Sequence, residues 1–313
     1  MNPTASHIPV LYAEVLAHLD PQPGGRYIDG TLGAGGHAVG ILEAGAPDGV
    51  LLGLDADAET LAATRTRLAR FGARAVLVHT NFAAMAEVAA AHGFVAVDGI
   101  LLDLGLSSMD VDDAARGFSF MRDGPLDMRF DRAQGQTAAD LVNTLSADAL
   151  ADILYRYGEE PRARAIARRI VAQRARHPLC TTGALAQLIG EVAPHKPGKR
   201  GPHPATRTFQ ALRMAVNDEL GVLAAGLAAA IGLLKPGGVL AVIAFHSLED
   251  RVVKQTFRTA ARDCICPPRQ PICTCEHRAT LELVTRKPIR PGVAELARNP
   301  RSRSARLRVV RKI

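Results

Sequence analysis

Short aliphatic runs alternate with helical segments through the first hundred residues. Strands are predicted near 26–29, 50–55, 75–79 and 97–103, with helices marked by Ala58–Phe71 and Phe82–His92 between them. That alternation predicts an α/β fold, a mostly parallel sheet covered on both faces. A fifth apolar strand, Val239–Phe245, follows Leu234-Lys235-Pro236-Gly237-Gly238. The gap between the fourth and fifth strands is far longer than one crossover helix needs, so a second module is expected inside it. The expected division is 1–105 for the first part of the main domain, 106–203 for the insert and 204–313 for the second part.

The insert reads as helical. Glu160-Pro161 opens a helix with Pro at its first position and His177-Pro178 closes it. Within it Ala163, Ile166, Ala167, Ile170 and Val171 form an i, i+3, i+4 stripe, with Arg162, Arg164, Arg168, Arg169, Arg174 and Arg176 mainly off it. Such arginines form either a solvated face or a contact with RNA. Helices around Thr137–Thr144, Ser146–Tyr157 and Thr182–Val192 complete the module. Lys196–Pro202 reads as a flexible basic connection, and one long helix is expected from about Thr206 to Leu234.

The nonapeptide Asp29-Gly30-Thr31-Leu32-Gly33-Ala34-Gly35-Gly36-His37 follows the first strand. A glycine turn opening a helix lets backbone N–H groups approach a ligand. Gly33-x-Gly35-x-x-Ala38 also fits the degenerate dinucleotide fingerprint. Asp55, ending the second strand, sits where a carboxylate accepts hydrogen bonds from ribose hydroxyls. With the Lys-Pro-Gly-Gly turn, these features resemble class I S-adenosylmethionine-dependent methyltransferases, whose Rossmann-like sheet is mostly parallel. In those enzymes an acidic residue before the glycine turn faces the methionine moiety, the place of Asp29. A nicotinamide cofactor would bring a pyrophosphate that such a carboxylate repels.

Composition narrows the class further. The chain has 313 residues, 48% of them hydrophobic, and no Trp, so an aliphatic core is available. The longest uncharged apolar run, Gly221–Leu234, is too short for a bilayer. No secretory pattern is visible at the N-terminus, which makes cytoplasmic the default expectation, with no membrane partner. Net charge is +7, but residues 251–313 hold sixteen Lys and Arg against four Asp and Glu, leaving −5 elsewhere. A basic end on a slightly acidic body fits a polyanionic partner or a solubilising tail.

The segments Asp29–His37, Asp98–Ser108, Arg116–Phe130, His203–Leu220 and Phe245–Arg251 resemble the bacterial ribosomal small-subunit RNA cytosine-N4 methyltransferases. The likeness runs from His7 to the Asn299–Ser304 segment, and Arg116–Arg129 is its most particular stretch. It implies S-adenosylmethionine as cofactor, a decoding-region cytosine of 16S RNA as target, within the small ribosomal subunit, and a helical substrate-recognition insert. It implies cofactor contacts at Ala34, Gly35, Gly36, His37, Asp55, Phe82, Asp103 and Asp110. The family often has glutamine where this chain has Asp110. Methylation of another RNA or a small molecule is the alternative.

The residues themselves support several of these roles. Phe82 serves either adenine packing or the core, and His37 either the cofactor or the turn. Asp103 ends the fourth strand, where open sheets hold ligands. Transfer to an exocyclic amine needs in-line positioning and a proton acceptor. Asp103 and the adjacent Ser107 and Ser108 are expected to orient the amine. His246 is a second catalytic candidate, with a structural hydrogen bond as its other reading. Carbon-5 methylation would need a cysteine nucleophile, and none directly follows the fourth strand.

Arg116, Phe118, Phe120, Arg122, Arg129 and Phe130 interleave cations with aromatics, a combination that grips phosphates and stacks bases. Arg116, Arg122 and Arg129 are the RNA-binding candidates, with at least one aromatic expected to be buried. Arg207 is a further phosphate ligand or a partner in a cap-region ion pair. Cys264-x-Cys266 and Cys273-x-Cys275, near His277, suggest zinc more than disulfides in a reducing compartment, although the spacing is not C-x-x-C. No Gly-x-Ser-x-Gly elbow appears, which disfavours a hydrolase. A non-catalytic RNA-binding module would need neither strand-end aspartate.

Overall fold

The computed structural model describes residues 9–106, 108–194, 203–267, 269–270 and 272–313, with backbone only at Ser108 and Met109. Lys196–Pro202 and Ser107 therefore lie outside the described residues. In chain order the elements are α1 (Tyr12–Leu19), β1 (Arg26–Asp29), α2 (Gly36–Ala44), β2 (Val50–Asp55), α3 (Ala58–Leu68), β3 (Ala75–His79), α4 (Met85–Ala91) and β4 (Val97–Asp103). Then come α5 (Ser108–Asp112), α6 (Ala138–Thr144), α7 (Ala147–Gly158), α8 (Ala163–Arg174), α9 (Thr182–Val192) and α10 (Ala205–Val216). The chain closes with α11 (Glu219–Leu233), β5 (Leu234–Ala244), α12 (Ser247–Ala260), β6 (Leu281–Leu283), α13 (Val293–Arg298) and β7 (Arg306–Lys312).

Two compact units result, Met1–Gly105 with Leu220–Ile313, and Leu106–Glu219. The first holds a seven-stranded sheet in the order β3-β2-β1-β4-β5-β7-β6. β1 to β5 are parallel, and β7 runs antiparallel to both β5 and β6. Successive strand residues alternate between two cores. Tyr27, Leu51, Leu101 and Ala241 join one face, while Ile28, Leu52, Ile100 and Leu240 join the other. This period-2 split explains why the strands read as unbroken apolar runs, since both faces are covered. The chain leaves β1 toward β2 and returns to β4 on the opposite side, so the switch in strand order lies between β1 and β4. Ligand crevices form at the carboxyl end of such a point.

The Lys-Pro-Gly-Gly segment bulges out of the ladder. Val97 pairs with Leu234 and Gly99 with Val239, so Lys235–Gly238 face a single residue of β4, with Gly237 at φ +81°.

The second unit is the expected helical module. Its core contains Ile166, Ala167 and Ile170 of the α8 stripe, together with Leu150, Leu154, Leu185 and Leu212. Thr137 and Asp140 cap α6 reciprocally. The unit continues to Glu219, beyond the expected 203/204 boundary, because α10 packs in this core. The single long helix expected over Thr206–Leu234 is two helices. At the break Asp218 takes φ +45°, and the Asn217 carboxamide donates to Met128 O (2.8 Å) and accepts from Phe130 N (2.8 Å). Among the described residues no single helix is long and apolar enough to cross a membrane.

Candidate functional site

Three neighbouring strands each end in an aspartate: Asp55 on β2, Asp29 on β1 and Asp103 on β4. Asp29 pairs across to Gly53 and to Leu101, so Asp55 and Asp103 each extend two residues further along the carboxyl edge. Between β1 and α2 the chain makes the glycine turn. Gly35 sits at φ +73°, and a Cβ there would lie 2.7 Å from Thr64 Cγ2, so the position excludes any side chain.

Asp55 fixes this turn. Its Oδ2 accepts from Gly33 N (2.7 Å) and its Oδ1 from Asp57 N (2.8 Å). One lone-pair site on each oxygen remains for a ligand. Thr64 Oγ1 donates to Gly33 O (2.6 Å) and Arg67 Nη1 to Ala34 O (3.0 Å), tying the turn to α3. α2 then starts at Gly36, presenting the N–H groups of its first turn.

Thr31 links the other two carboxylates. Its backbone N–H donates to Asp29 Oδ1 (3.1 Å), and its hydroxyl oxygen accepts from Asp103 N (2.6 Å). Asp29 is 1% exposed, and burial above all, then the charges of Asp103 and Asp55, pushes its carboxyl up to about 7 against the Thr31 N–H. Burial likewise takes Asp103 to about 7, with the Gly105 N–H opposing and Glu249 reinforcing. Asp55 is also raised, chiefly by burial. Among the described residues no Lys or Arg pairs with any of the three, and Asp103 Oδ1 is buried without a hydrogen-bond partner. His37 Nε2 lies 3.7 Å from Asp103 Oδ2, and the His37 ring stacks on Tyr12. Uncompensated buried carboxylates call for a cation, and they repel a pyrophosphate.

Phe82 begins the turn after β3 and is partly buried. Its ring rests on Gly226 of α11, where a Cβ would come 2.6 Å from Phe82 Cε2. Glycine there lets the ring seat against the helix. His246 is the N-cap of α12: its Nδ1 accepts from Glu249 N (3.4 Å), and Glu249 Oε2 accepts from His246 N (3.2 Å) and Phe245 N (2.9 Å). Nε2 lies 3.0 Å from Glu249 Oε1 without hydrogen-bond alignment. The imidazole thus caps α12 through Nδ1, while its buried Nε2 has no hydrogen-bond partner. Thr31 and Gly226 escaped the sequence reading. Thr31 lies inside the conspicuous nonapeptide, whereas Gly226 carries no local signal.

The insert corrects the RNA-binding set. Arg116 is 3% exposed, and its Nη2 donates to Arg129 O (3.1 Å) and Phe130 O (3.0 Å) and lies 3.3 Å from Asp110 Oδ1. That guanidinium is an internal strut, and Asp110 is its counter-ion rather than a free acceptor. Arg129 clasps Asp127 through Nε (2.8 Å) and Nη2 (3.0 Å). Phe118 is buried and stacks on Phe130, while Phe120 meets Phe209 edge-on. Phe118 is the buried aromatic, while Phe120 and Phe130 are half-buried. Arg122 is exposed at the tip, next to Met121 at 82% exposure. Arg207 is exposed and donates to Glu159 O (3.1 Å), not to a carboxylate, beside Arg162 in a shallow recess. In the basic C-terminal region Arg306 and Arg308 pair with Asp250 at 3.1 and 2.7 Å, so part of that charge is structural.

Known proteins resemble this chain over nearly its whole length. A protein from Thermomicrobium roseum is 56% identical over 310 residues, covering 99% of this chain and 94% of its own. One from Syntrophotalea carbinolica is 54% identical over 309 residues, covering 98% of each. A third, from Syntrophobacter fumaroxidans, is 52% identical over 311 residues, covering 99% of this chain and 98% of its own. All three carry the name ribosomal RNA small subunit methyltransferase H. The sheet is that of a class I methyltransferase, as expected, and the cofactor is S-adenosylmethionine. A family model matches residues 4–313, and the chain belongs to the MraW methylase family.

Proposed function

We propose that the chain methylates the exocyclic N4 amine of a decoding-region cytosine in 16S ribosomal RNA, acting on the small ribosomal subunit. The observation that carries the reading is the row of three strand-end carboxylates beside the glycine turn, none of them paired with a Lys or Arg among the described residues. When bound, S-adenosylmethionine supplies an electrophilic methyl group on a positively charged sulfur. The residues present fit that molecule. Asp55 keeps acceptor sites for a vicinal diol while holding the turn, and Asp29 and Asp103 offer negative charge to a sulfonium and an ammonium group. Phe82, seated on Gly226, offers a ring face to adenine.

Asp103 is the proton acceptor in this reading. Cytosine N4 is a weak nucleophile, because its lone pair is delocalised into the ring. A half-buried carboxylate with one buried oxygen unbonded orients such an amine, and a pKa near 7 suits proton removal at neutral pH. The five cysteines lie at 180 and between 264 and 275, none in the stretch directly after β4, which opposes attack on carbon 5. The relatives' names support a small-subunit RNA substrate, and the resemblance of Arg116–Arg129 supports the N4 amine.

The test is incubation of purified protein and labelled cofactor with small subunits from an unmethylated strain, and in parallel with free 16S RNA. Mass spectrometry of digested RNA should find one N4-methylated cytosine, with the subunit the better substrate. Label on carbon 5, on another RNA, or on no RNA at all would overturn the reading.

A further inference from the structure

Cys264, Cys266, Cys273 and Cys275 occupy the segment that joins α12 to β6. Their four sulfurs all lie within 4.8 Å of one another. Cys273 Sγ is 3.6 Å from Cys275 Sγ, which is 3.8 Å from Cys264 Sγ. These separations are far beyond a disulfide bond of about 2.0 Å. Four thiolates held about 2.3 Å from a tetrahedral ion stand about 3.8 Å apart, close to the Cys273–Cys275 and Cys275–Cys264 separations. We infer that this segment is a tetrathiolate site for one structural zinc ion, independent of the methyl-transfer centre.

Two backbone donors support the assignment. Ile265 N donates to Cys275 Sγ (3.4 Å) and Thr274 N to Cys266 Sγ (3.5 Å). Each donor lies between the two cysteines of a C-x-C pair, and each bonds to a sulfur of the opposite pair. Such bonds orient ligands and stabilise the deprotonated sulfur. Four sulfurs this close cannot all ionise without a cation among them. A divalent ion relieves that repulsion and releases the remaining thiol protons to solvent.

The site has a structural purpose. Between α12 and β6 the chain has little apolar material to hold it, and Ile265 and Ile272 face solvent at 47% and 74% exposure. The ends are tied by Thr280 N to Ala260 O (2.8 Å) and His277 Nε2 to Thr259 O (3.0 Å). His277 is thus an anchor outside the ligand set. An ion at the four sulfurs would fix the middle of the segment.

Metal analysis of the full chain, purified without metal affinity steps, should find about one zinc per protein. Cobalt substitution should give the visible bands and thiolate charge-transfer band of tetrahedral sulfur ligation. The Cys273→Ser, Cys275→Ser double variant should lose the metal, while Cys180→Ser keeps it. Removing the metal should speed proteolytic cleavage between residues 262 and 279 at least tenfold. These readouts do not involve methylation, so failure here is distinguishable from failure of the proposed reaction. No bound metal with all five thiols titrating freely would overturn the site, as would disulfides found by mass spectrometry.

Discussion

Two stretches of this chain look equally like binding motifs, and the folded molecule treats them in opposite ways. At the carboxyl edge of β1, β2 and β4, three buried or half-buried aspartates lack a paired Lys or Arg among the described residues, and two have carboxyls near 7. In Arg116–Phe130 the charges at Arg116, Asp127 and Arg129 are matched, and Phe118 packs on Phe130. The first region keeps electrostatic demand that protonation meets in the free protein and that a cationic ligand can meet in the complex. The second satisfies itself and builds a core. A row of charges in a sequence becomes a binding site when the fold withholds their partners.

The largest effect that would break this contrast is loss of Asp103. With saturating cofactor, Asp103→Asn should lower single-turnover methyl transfer by about 10²–10⁴-fold, the usual contribution of a positioned acid or base. Binding of cofactor should change far less. Wild-type turnover in this variant would remove Asp103 from the chemistry.

On the other side of the comparison stands Arg116. Arg116→Ala leaves Asp110 buried without its counter-ion and two carbonyls without a donor. The expected loss is about 3–5 kcal/mol, read as a lower urea midpoint for unfolding. If Arg116 instead gripped RNA, the variant would keep its stability and lose substrate affinity. Arg116→Lys should not restore stability, because one ammonium cannot replace the planar fork.

The sequence showed the first region more fully than the second, and the reason is range. The strand bounds at 26–29, 50–55, 75–79 and 97–103 were legible, because apolar runs covered on both faces are a local signal. The strand-end aspartates and the glycine turn are local too. By contrast Arg116 is buried by Asp110 and by carbonyls more than ten residues later, so its burial depends on a loop closing over it. The break after α10 is set by Asn217 reaching Met128 and Phe130, which no helical periodicity can reveal. Gly226 matters only because Phe82 lands on it.

Asp55→Ala sharpens the comparison next. Loss of charged hydrogen bonds to the ribose should cost about 1.5–3 kcal/mol, roughly ten- to a hundred-fold in cofactor affinity by calorimetry. Binding within twofold of wild type would contradict the site.

The two regions should also titrate with opposite sign. Asp29 and Asp103 have folded pKa values above their unfolded ones. Their protonated forms favour the free folded state at acid pH, and that contribution is lost as pH rises from about 4 through about 7. Burial opposes but Arg129 holds Asp127 below the usual range, so its contribution is present at neutral pH and lost as pH falls through its folded value. A cationic cofactor binds the ionised pair better, so affinity should rise about tenfold per proton released between pH 6 and 8, then level off. Carboxyl NMR should show two aspartates titrating near 7 in the free protein and neither in the complex. A flat affinity profile would remove the unmet charge from the argument.

The smallest effect belongs to the one arginine of the motif that the fold leaves outside. Arg122 is exposed at the tip beside Met121, and its own carbonyl is anchored by the Thr182 hydroxyl at 3.3 Å. The backbone is therefore fixed while the side chain stays in water, an arrangement suited to a phosphate contact. Arg122→Ala should leave folding unchanged and weaken subunit binding a few-fold. It should also lower the slope of log affinity against log salt by about one, as for a single lost phosphate contact. An unchanged slope would mean that Arg116–Arg129 is structural throughout, and RNA affinity would have to come from Arg207 and from C-terminal arginines not paired with Asp250.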